Sequence, residues 1–436
     1  MTKKMKSLLA ISWSLVVVIL LSEGFTIRSS SAAASALIDE EEDDEGYRKL
    51  VEWVISHGGR VDERMAIGQV DGGIRGVIAL GGDIENGTEL MHCPWKLVIG
   101  SSSLQDQMET EDDMCNVVKI LASEFRLGDQ SLGWRYLNHI DEELPRLGAM
   151  WDSAAVQELQ GLPPSHDLNR HNEWFSKNCG GGNELEFDKA TKQALVSFIS
   201  RASAVGMIPI YDLLNHHNGL KNAKLFTTEE GVDLRTVRRV QKGEQLYQSY
   251  GLKPSSQMFR DYGFVESWPT LWSWKHPTGS SGDNHVFALF PDGIAAIYPS
   301  VEFLKEIWAS STTRSQLEWQ QNATHFTQSV PRDALMQFTT AAKTLLDGLP
   351  TTWEEDKEIL KQKEAEQRIA TTSRRAANTN VNHDEDNNSN HSDEWLLALE
   401  DVIAAIQYRL DFKRAVSDSS DFAEITIQGL EKTNEL

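Results

Sequence analysis

Cysteine is scarce in this chain. Cys93, Cys115 and Cys179 are three in 436 residues, an odd number without Cys-x-x-Cys spacing, so neither a disulfide framework nor a zinc cluster is expected. Positive charge is also in short supply: 42 Lys and Arg face 65 Asp and Glu, a net charge of −23. So acidic a surface repels phosphate backbones and excludes nucleic acid as the expected partner, leaving basic protein segments or plain solubility as its meaning. Long apolar runs are missing after the N-terminus. Residues 8–21 hold such a stretch, and it is short for a membrane span.

That stretch is preceded by Lys3, Lys4 and Lys6 and followed by Ala32, Ala33, Ala34 and Ala36, the pattern of a secretory signal peptide over residues 1–36. No stable membrane insertion is expected after its cleavage. Residues 25–38 contain Arg28, are rich in Ser and Ala and lack acids, as transit segments do. Two destinations therefore stay open: the endoplasmic reticulum or the medium, and a plastid reached through the endomembrane system. Asn86-Gly87-Thr88 and Asn322-Ala323-Thr324 are glycosylation sequons, meaningful only on the lumenal route.

After an acidic spacer at 39–45, residues 47–57 read as a short helix. Residues 112–127 place Met114, Val117, Val118, Leu121 and Phe125 on one helical face behind an acidic pair. Residues 187–205 repeat the pattern, with Asp188 as cap, and deliver Arg201 next to an apolar strand at 207–210. Glu229-Glu230-Gly231 and Pro291-Asp292-Gly293 are turn signals between apolar strands. From Ser300 onward helix-forming composition dominates. A polar, low-complexity stretch at 374–394 interrupts it and is expected as a disordered loop, its His383 and His391 solvated.

The chemistry concentrates between Gly206 and Val265. The strand at 207–210 runs into a polar turn carrying Asp212, Asn215, His216 and His217, and a polar turn on a rigid strand suits a small-molecule site. Adjacent histidines on a turn point apart and no third ligand is evident, so no metal site is expected. Downstream, the Lys242-Gly243 turn leads to a short strand that presents Tyr247 and Tyr250 ahead of Gly251.

These residues resemble the SET-domain methyltransferases, in particular the group containing the RuBisCO large-subunit lysine methyltransferase and the actin-histidine methyltransferase. The resemblance rests on Ser200-Arg201, Ile208-Pro209-Ile210-Tyr211-Asp212 with Asn215-His216, Lys242 to Gln245 with Tyr250-Gly251, and Tyr262-Gly263-Phe264. All four stand in the family order, which is far more specific than any one of them. Gly76-Val77-Ile78-Ala79 with Asp83-Ile84 is similar to the family's nucleotide-facing turn. Segments 134–137 and 151–161 look like its helical insertion, and 349–360 and 406–413 like its substrate-binding helices. The implied fold is α+β: a β-rich SET domain with a knot-like β-clip core over 47–268, a helical insertion at about 103–190, and an all-α C-terminal substrate-binding domain over 284–436.

The implied activity is S-adenosylmethionine-dependent protein methylation, with lysine the favoured acceptor and histidine the alternative. Such a transfer depends on alignment and desolvation more than on acid–base chemistry. Tyr250 takes the catalytic role by resemblance, orienting nucleophile and methyl group. Arg75, Gly76, Arg201, Asp212, Asn215 and His216 match cofactor contacts, Arg201 near the methionine carboxylate, while Tyr211, Tyr262 and Phe264 match the substrate pocket. Tyr211 falls where the actin-histidine enzyme has a pocket tryptophan, and Ser203 where it has an asparagine, which disfavours histidine. The expected partner is a lysine-bearing protein, and the enzyme is expected to be a monomer. Three departures stand out: Gly73-Ile74-Arg75-Gly76 replaces Glu-Gly-x-Gly, Ser255-Ser256 replaces Ser-Asn, and the 161–201 segment is short. They motivate an alternative of another class, a catalytically inactive SET-fold binding module.

Overall fold

A computed structural model describes residues 45–434, apart from 71–73, 101–102, 104–107, 109, 142–146, 152, 163–167, 181–186, 267–269, 276–283, 290–294, 299–329 and 379–388. The signal and transit segments, Asn322 and His383 lie outside the described residues. Helix α1 (Glu45–Ser56) buries Tyr47, Leu50 and Val54, residues spaced three and four apart on one face. Strands β1 (Arg60–Val61), β2 (Met65–Val70), β3 (Ile74–Ala79) and β4 (Glu89–Pro94) follow. A helical stretch comes next: α2 (Glu111–Leu127), α3 (Trp134–Asp141), α4 (Ser153–Glu158), α5 (Arg170–Asn178) and α6 (Lys189–Arg201). The chain returns to strands with β5 (Asn215–His216), β6 (Ala223–Thr227), β7 (Gly231–Thr236) and β8 (Tyr247–Gln248). It then runs through α7 (Ser255–Tyr262), β9 (Thr270–Lys275), β10 (Asn284–Leu289) and β11 (Ala295–Tyr298). Helices α8 (Arg332–Asp347), α9 (Trp353–Asn378) and α10 (Ser389–Asn434) complete it.

The strands form four small sheets: β1-β4-β7-β6, the β2-β3 pair, the parallel β5-β8 pair, and β11-β10-β9. Local sequence explains the helix starts. Thr110 and Asp113 close a capping box on α2 and the Asp188 side chain accepts from Thr191 N–H at the start of α6, so both helices begin where their orphan donors are satisfied. Arg126 of α2 reaches Asp188 at 2.9 Å, joining the two helices at the surface.

A disulfide joins Cys115 of α2 to Cys179 at the end of α5, with Cα atoms 5.2 Å apart and 64 residues of separation. This corrects the expectation of no disulfide. Parity and local spacing detect frameworks and zinc motifs, whereas this bridge is made by two distant helices packing together, with Cys93 left as a buried free thiol.

Two hydrophobic cores result. The first gathers α1, strands β1–β4, β6 and β7, and helices α2, α3, α5 and α6 around Leu50, Leu90, Met91, Leu121, Leu137 and Leu234. The second centres on Trp272, Trp274, Phe287, Phe338, Tyr408 and Phe412. The C-terminal region, expected as all-α, thus also carries the β9–β11 sheet: Trp272 and Trp274 alternate onto one face of β9 and pack against helices α8 and α10. The inserted helices divide between the two cores, since Leu159 and Leu162, just after α4, belong to the second. Beneath that core Asp356 of α9 meets Arg409 Nη2 at 2.7 Å and Lys413 Nζ at 2.6 Å, both on α10. Arg409 Nη1 in turn meets Glu158 of α4 at 2.6 Å.

Two further expectations change. The strand at 207–210 is a single bridge between Met207 and Ile99, because Pro209 has no N–H to extend a ladder. The loop at 374–394 shrinks, with α9 running to Asn378 and α10 starting at Ser389; Arg374, Arg375, Ala376 and Ala377 are strong helix formers. Among the described residues no helix is long and apolar enough to cross a membrane.

Candidate functional site

Ile210 is the one non-glycine among the described residues with a left-handed backbone, at φ 70°. A β-branched residue resists that conformation, so the surrounding packing must impose it. Ile210 is fully buried. The strained residue turns the chain from the Met207 bridge into a tight 3-10 turn at Tyr211–Leu213, and from there into β5. Parallel pairing of Asn215 with Tyr247 and His216 with Gln248 joins this turn to the strand that precedes Tyr250. The Gln248 side chain donates to both Tyr211 O and Leu214 O at 3.2 Å.

The turn and strand enclose a cleft of about 310 Å³ whose lining includes Arg201, Tyr211, Asp212, Tyr250, Lys253 and Tyr262. The Tyr250 hydroxyl donates to Leu214 O at 2.9 Å, and its ring stacks on Tyr262 with centroids 4.7 Å apart. Lys253 donates to the Tyr262 hydroxyl at 3.0 Å and lies 4.9 Å over that ring, an arrangement that mixes hydrogen bonding with cation–π attraction. Burial pushes the Tyr250 hydroxyl well above the ordinary phenol value, and pushes Tyr211 up to about 12, with Tyr262 adding to the effect. Both remain neutral at physiological pH, so they act as hydrogen-bonding walls rather than as bases.

Asp212 sits at the cleft's inner wall, its side chain fully buried. Its Oδ2 accepts from the Tyr136 hydroxyl at 3.0 Å and lies 3.4 Å from Arg201 Nη1. No hydrogen-bond donor among the described residues reaches Oδ1. Burial lifts the Asp212 carboxyl above its usual range, opposed by Arg201 and by Tyr136. The inner wall of the cleft thus has a buried carboxylate near Arg201, while Lys253 stands at Tyr262 on the same lining.

The expected site residues fall into three groups. Arg201, Tyr211, Asp212, Tyr250 and Tyr262 line one cleft. His216 stacks on Tyr250 at 5.1 Å and Phe264 packs at 6.2 Å from His216 and 6.3 Å from Tyr262. Arg75, Gly76 and Asn215 stand apart from the lining and are joined to one another, Asn215 Nδ2 donating to Arg75 O at 2.9 Å. Gly76 is not in a turn: it lies within β3, opposite Gly68. A Cβ there would meet Gln245 Nε2 at 2.4 Å and Asn215 Nδ2 at 2.9 Å, so the glycine makes room for those side chains. Ile74 opens the same strand, paired with Val70. The Ser203 hydroxyl is taken by its own turn, donating to Gly206 O at 2.9 Å.

Sequence reasoning missed Tyr136, Lys253 and Glu266. Tyr136 lay within the segment read as insertion helix, and its contact with Asp212 spans 76 residues. Glu266 follows the Tyr-Gly-Phe motif almost directly. It is buried, with Oε1 accepting Asn218 N–H at 2.6 Å and Oε2 accepting Asn218 Nδ2 at 3.0 Å.

No family model matches the chain. Over 113 residues it is 28% identical to the ribosomal lysine N-methyltransferase 4 of Schizosaccharomyces pombe, covering 26% of this chain and 23% of that protein. Over 63 residues it is 38% identical to the N-lysine methyltransferase setd6 of Danio rerio, covering 14% of each. The matches span about a quarter or less of the length of these curated relatives. Among solved structures, the SET domain of LSMT bound to lysine and AdoHcy is similar with a TM-score of 0.51 at 18% identity, over 89% of this chain and 92% of that one. Rubisco LSMT bound to AdoMet gives 0.50 at 17%, over 89% and 93%. The chain has the SET-domain fold, of class α+β.

Proposed function

We propose that this chain is an S-adenosylmethionine-dependent protein-lysine N-methyltransferase, with the cleft around Tyr250 as its active site. The observation that carries the reading is Tyr250 itself, a permanently neutral hydroxyl anchored to Leu214 O and walled by Tyr262 in a cleft that also holds cations and a carboxylate. The residues present fit the donor. Arg201 and Lys253 on the cleft lining suit its carboxylate, with the buried Asp212 orienting Arg201, and the tyrosine faces suit a cationic sulfur. When bound, S-adenosylmethionine supplies an electrophilic methyl group.

The chain's own part is alignment and exclusion of water. Tyr250 donates its hydroxyl hydrogen bond to Leu214 O, which turns the oxygen lone pairs toward the incoming nitrogen and fixes the ring. The stacked Tyr262 and Tyr250 rings narrow the approach, and desolvation there favours the neutral form of an amine whose ordinary pKa is near ~10.4. Lysine is favoured over histidine because the Ser203 hydroxyl is occupied by Gly206 O, leaving nothing at that position to orient an imidazole. Incubating the protein with methyl-labelled S-adenosylmethionine and a protein lysate, then hydrolysing the product, tests this: label is expected in N-methyllysine and is lost in Tyr250→Phe. Label in methylhistidine would select the alternative acceptor, and absence of label would favour an inactive binding module.

We further propose that the chain enters the secretory pathway. The Cys115–Cys179 bridge supports this, because such bonds persist in oxidising compartments. So does Asn86, which sits exposed in its sequon ahead of Gly87 at φ 80°. In secretion-competent cells the full chain is expected to show a glycosidase-sensitive mass that Asn86→Gln reduces. Unmodified protein with reduced cysteines in the cytosol would refute the route.

A further inference from the structure

Resting on the methyltransferase reading, we propose that Glu266 is a positioning residue that holds the backbone on both sides of Tyr250 through two separate tethers. The first runs through His216. Glu266 Oε2 lies 3.2 Å from His216 Nε2, and His216 Nδ1 accepts the Tyr250 N–H at 2.8 Å. The second runs through Asn218. Its N–H and side-chain amide donate to the two Glu266 oxygens at 2.6 and 3.0 Å, and its Oδ1 accepts the Ser249 hydroxyl at 2.7 Å. Ser249 Oγ then accepts Gly251 N–H at 3.2 Å, so the residues before, at and after the catalytic position are all tied to one carboxylate.

The chemistry demands an acceptor with no protons. Two N–H groups of Asn218 converge on Glu266, one on each oxygen, and an ionised carboxylate offers acceptor sites alone; His216 Nε2 is held beside Oε2 at 3.2 Å by electrostatic attraction, without a hydrogen bond. The arrangement also fixes the imidazole. Because Nδ1 accepts from the Tyr250 amide, the ring proton must sit on Nε2, the ring nitrogen nearer Glu266. His217 does not compete for the carboxylate: its Nδ1 accepts Gly219 and Leu220 N–H groups at 3.1 Å and lies 3.9 Å from Oε1. Glu266 also stands at the border of the second core, its carbonyl accepting from the Thr270 hydroxyl at 3.0 Å at the start of β9.

The test is Glu266→Gln, which keeps shape but turns an amide N–H₂ toward one of the two Asn218 donors. Turnover is expected to fall about 10- to 100-fold, the scale of a small misalignment of the reacting groups, while donor affinity and melting temperature stay close to wild type. Nitrogen NMR of the histidine side chains supplies a readout that a merely structural role would not move: His216 is expected as the Nε2–H form with Nδ1 hydrogen-bonded in wild type, and to lose that signature in Glu266→Gln. Wild-type turnover in Glu266→Gln, or a wild-type His216 carrying its proton on Nδ1, overturns the proposal alone. The expected His216 signature in a wild-type chain that methylates nothing overturns the methyltransferase reading, and the catalytic role of the tethers with it.

Discussion

Two buried carboxylates, one in each core, are built from the same parts to opposite ends. Asp356 has a cation on each oxygen, Lys413 at 2.6 Å and Arg409 at 2.7 Å, and is sealed between helices α9 and α10. Asp212 has a tyrosine at 3.0 Å, an arginine at 3.4 Å and an oxygen with no hydrogen-bond donor among the described residues, and it lines an open cleft. A desolvated charge is costly unless paired. The second core meets that cost through ion pairing, with Asp356 Oδ1 and Arg409 Nη2 in ion-pair contact without a hydrogen bond, and gains a rigid helical platform. The first meets it with a single tyrosine and a more distant arginine beside strained Ile210, and the carboxylate stays fully buried at the cleft's inner wall.

The sharpest way to break the contrast is Asp356→Ala, which removes the carboxylate shared by Arg409 and Lys413 and leaves Arg409 with Glu158 and Lys413 with the Thr351 and Thr352 oxygens. A loss of about 3–5 kcal/mol is expected in denaturant unfolding of the helical region, with donor affinity at the cleft changed less than about twofold if the cores are independent. Removing the disulfide by Cys115→Ser with Cys179→Ser is expected to cost about 2–4 kcal/mol, confined to the first core. His217 gives a pH signature of the first core. Burial lowers its pKa from 6.5 to about 4, so between those values the unfolded chain binds more protons. Stability is complete above pH 6.5 and falls toward pH 4, by about 2 kcal/mol at pH 5, an effect His217→Gln should flatten in melting curves. The smallest stability effect belongs to Asp212→Asn, about 1 kcal/mol or less, since burial already disfavours the charge. That variant should instead weaken donor binding several-fold, and an unchanged affinity would remove Asp212 from the site.

Local features were legible in the sequence. The apolar spacing from Met114 to Phe125 gives α2, Asp188 does cap α6, and the turn at Glu229-Glu230 does join β6 to β7. The motif order also pointed to the SET fold. Contacts between distant segments were not legible. Cys115 and Cys179 meet because α2 and α5 pack together, Tyr136 reaches Asp212 from the insertion, and Glu266 gathers Asn218 and His216 from 48 and 50 residues upstream. Ile210 illustrates another limit: nothing in its identity signals a positive φ, and only the packed fold imposes it.

Isothermal titration of S-adenosylmethionine into the purified protein tests the central claim most directly. The account predicts one saturable site, weakened by Asp212→Asn and retained in Tyr250→Phe. No detectable binding to the folded wild-type protein would contradict it and leave the cleft to a SET-fold binding module.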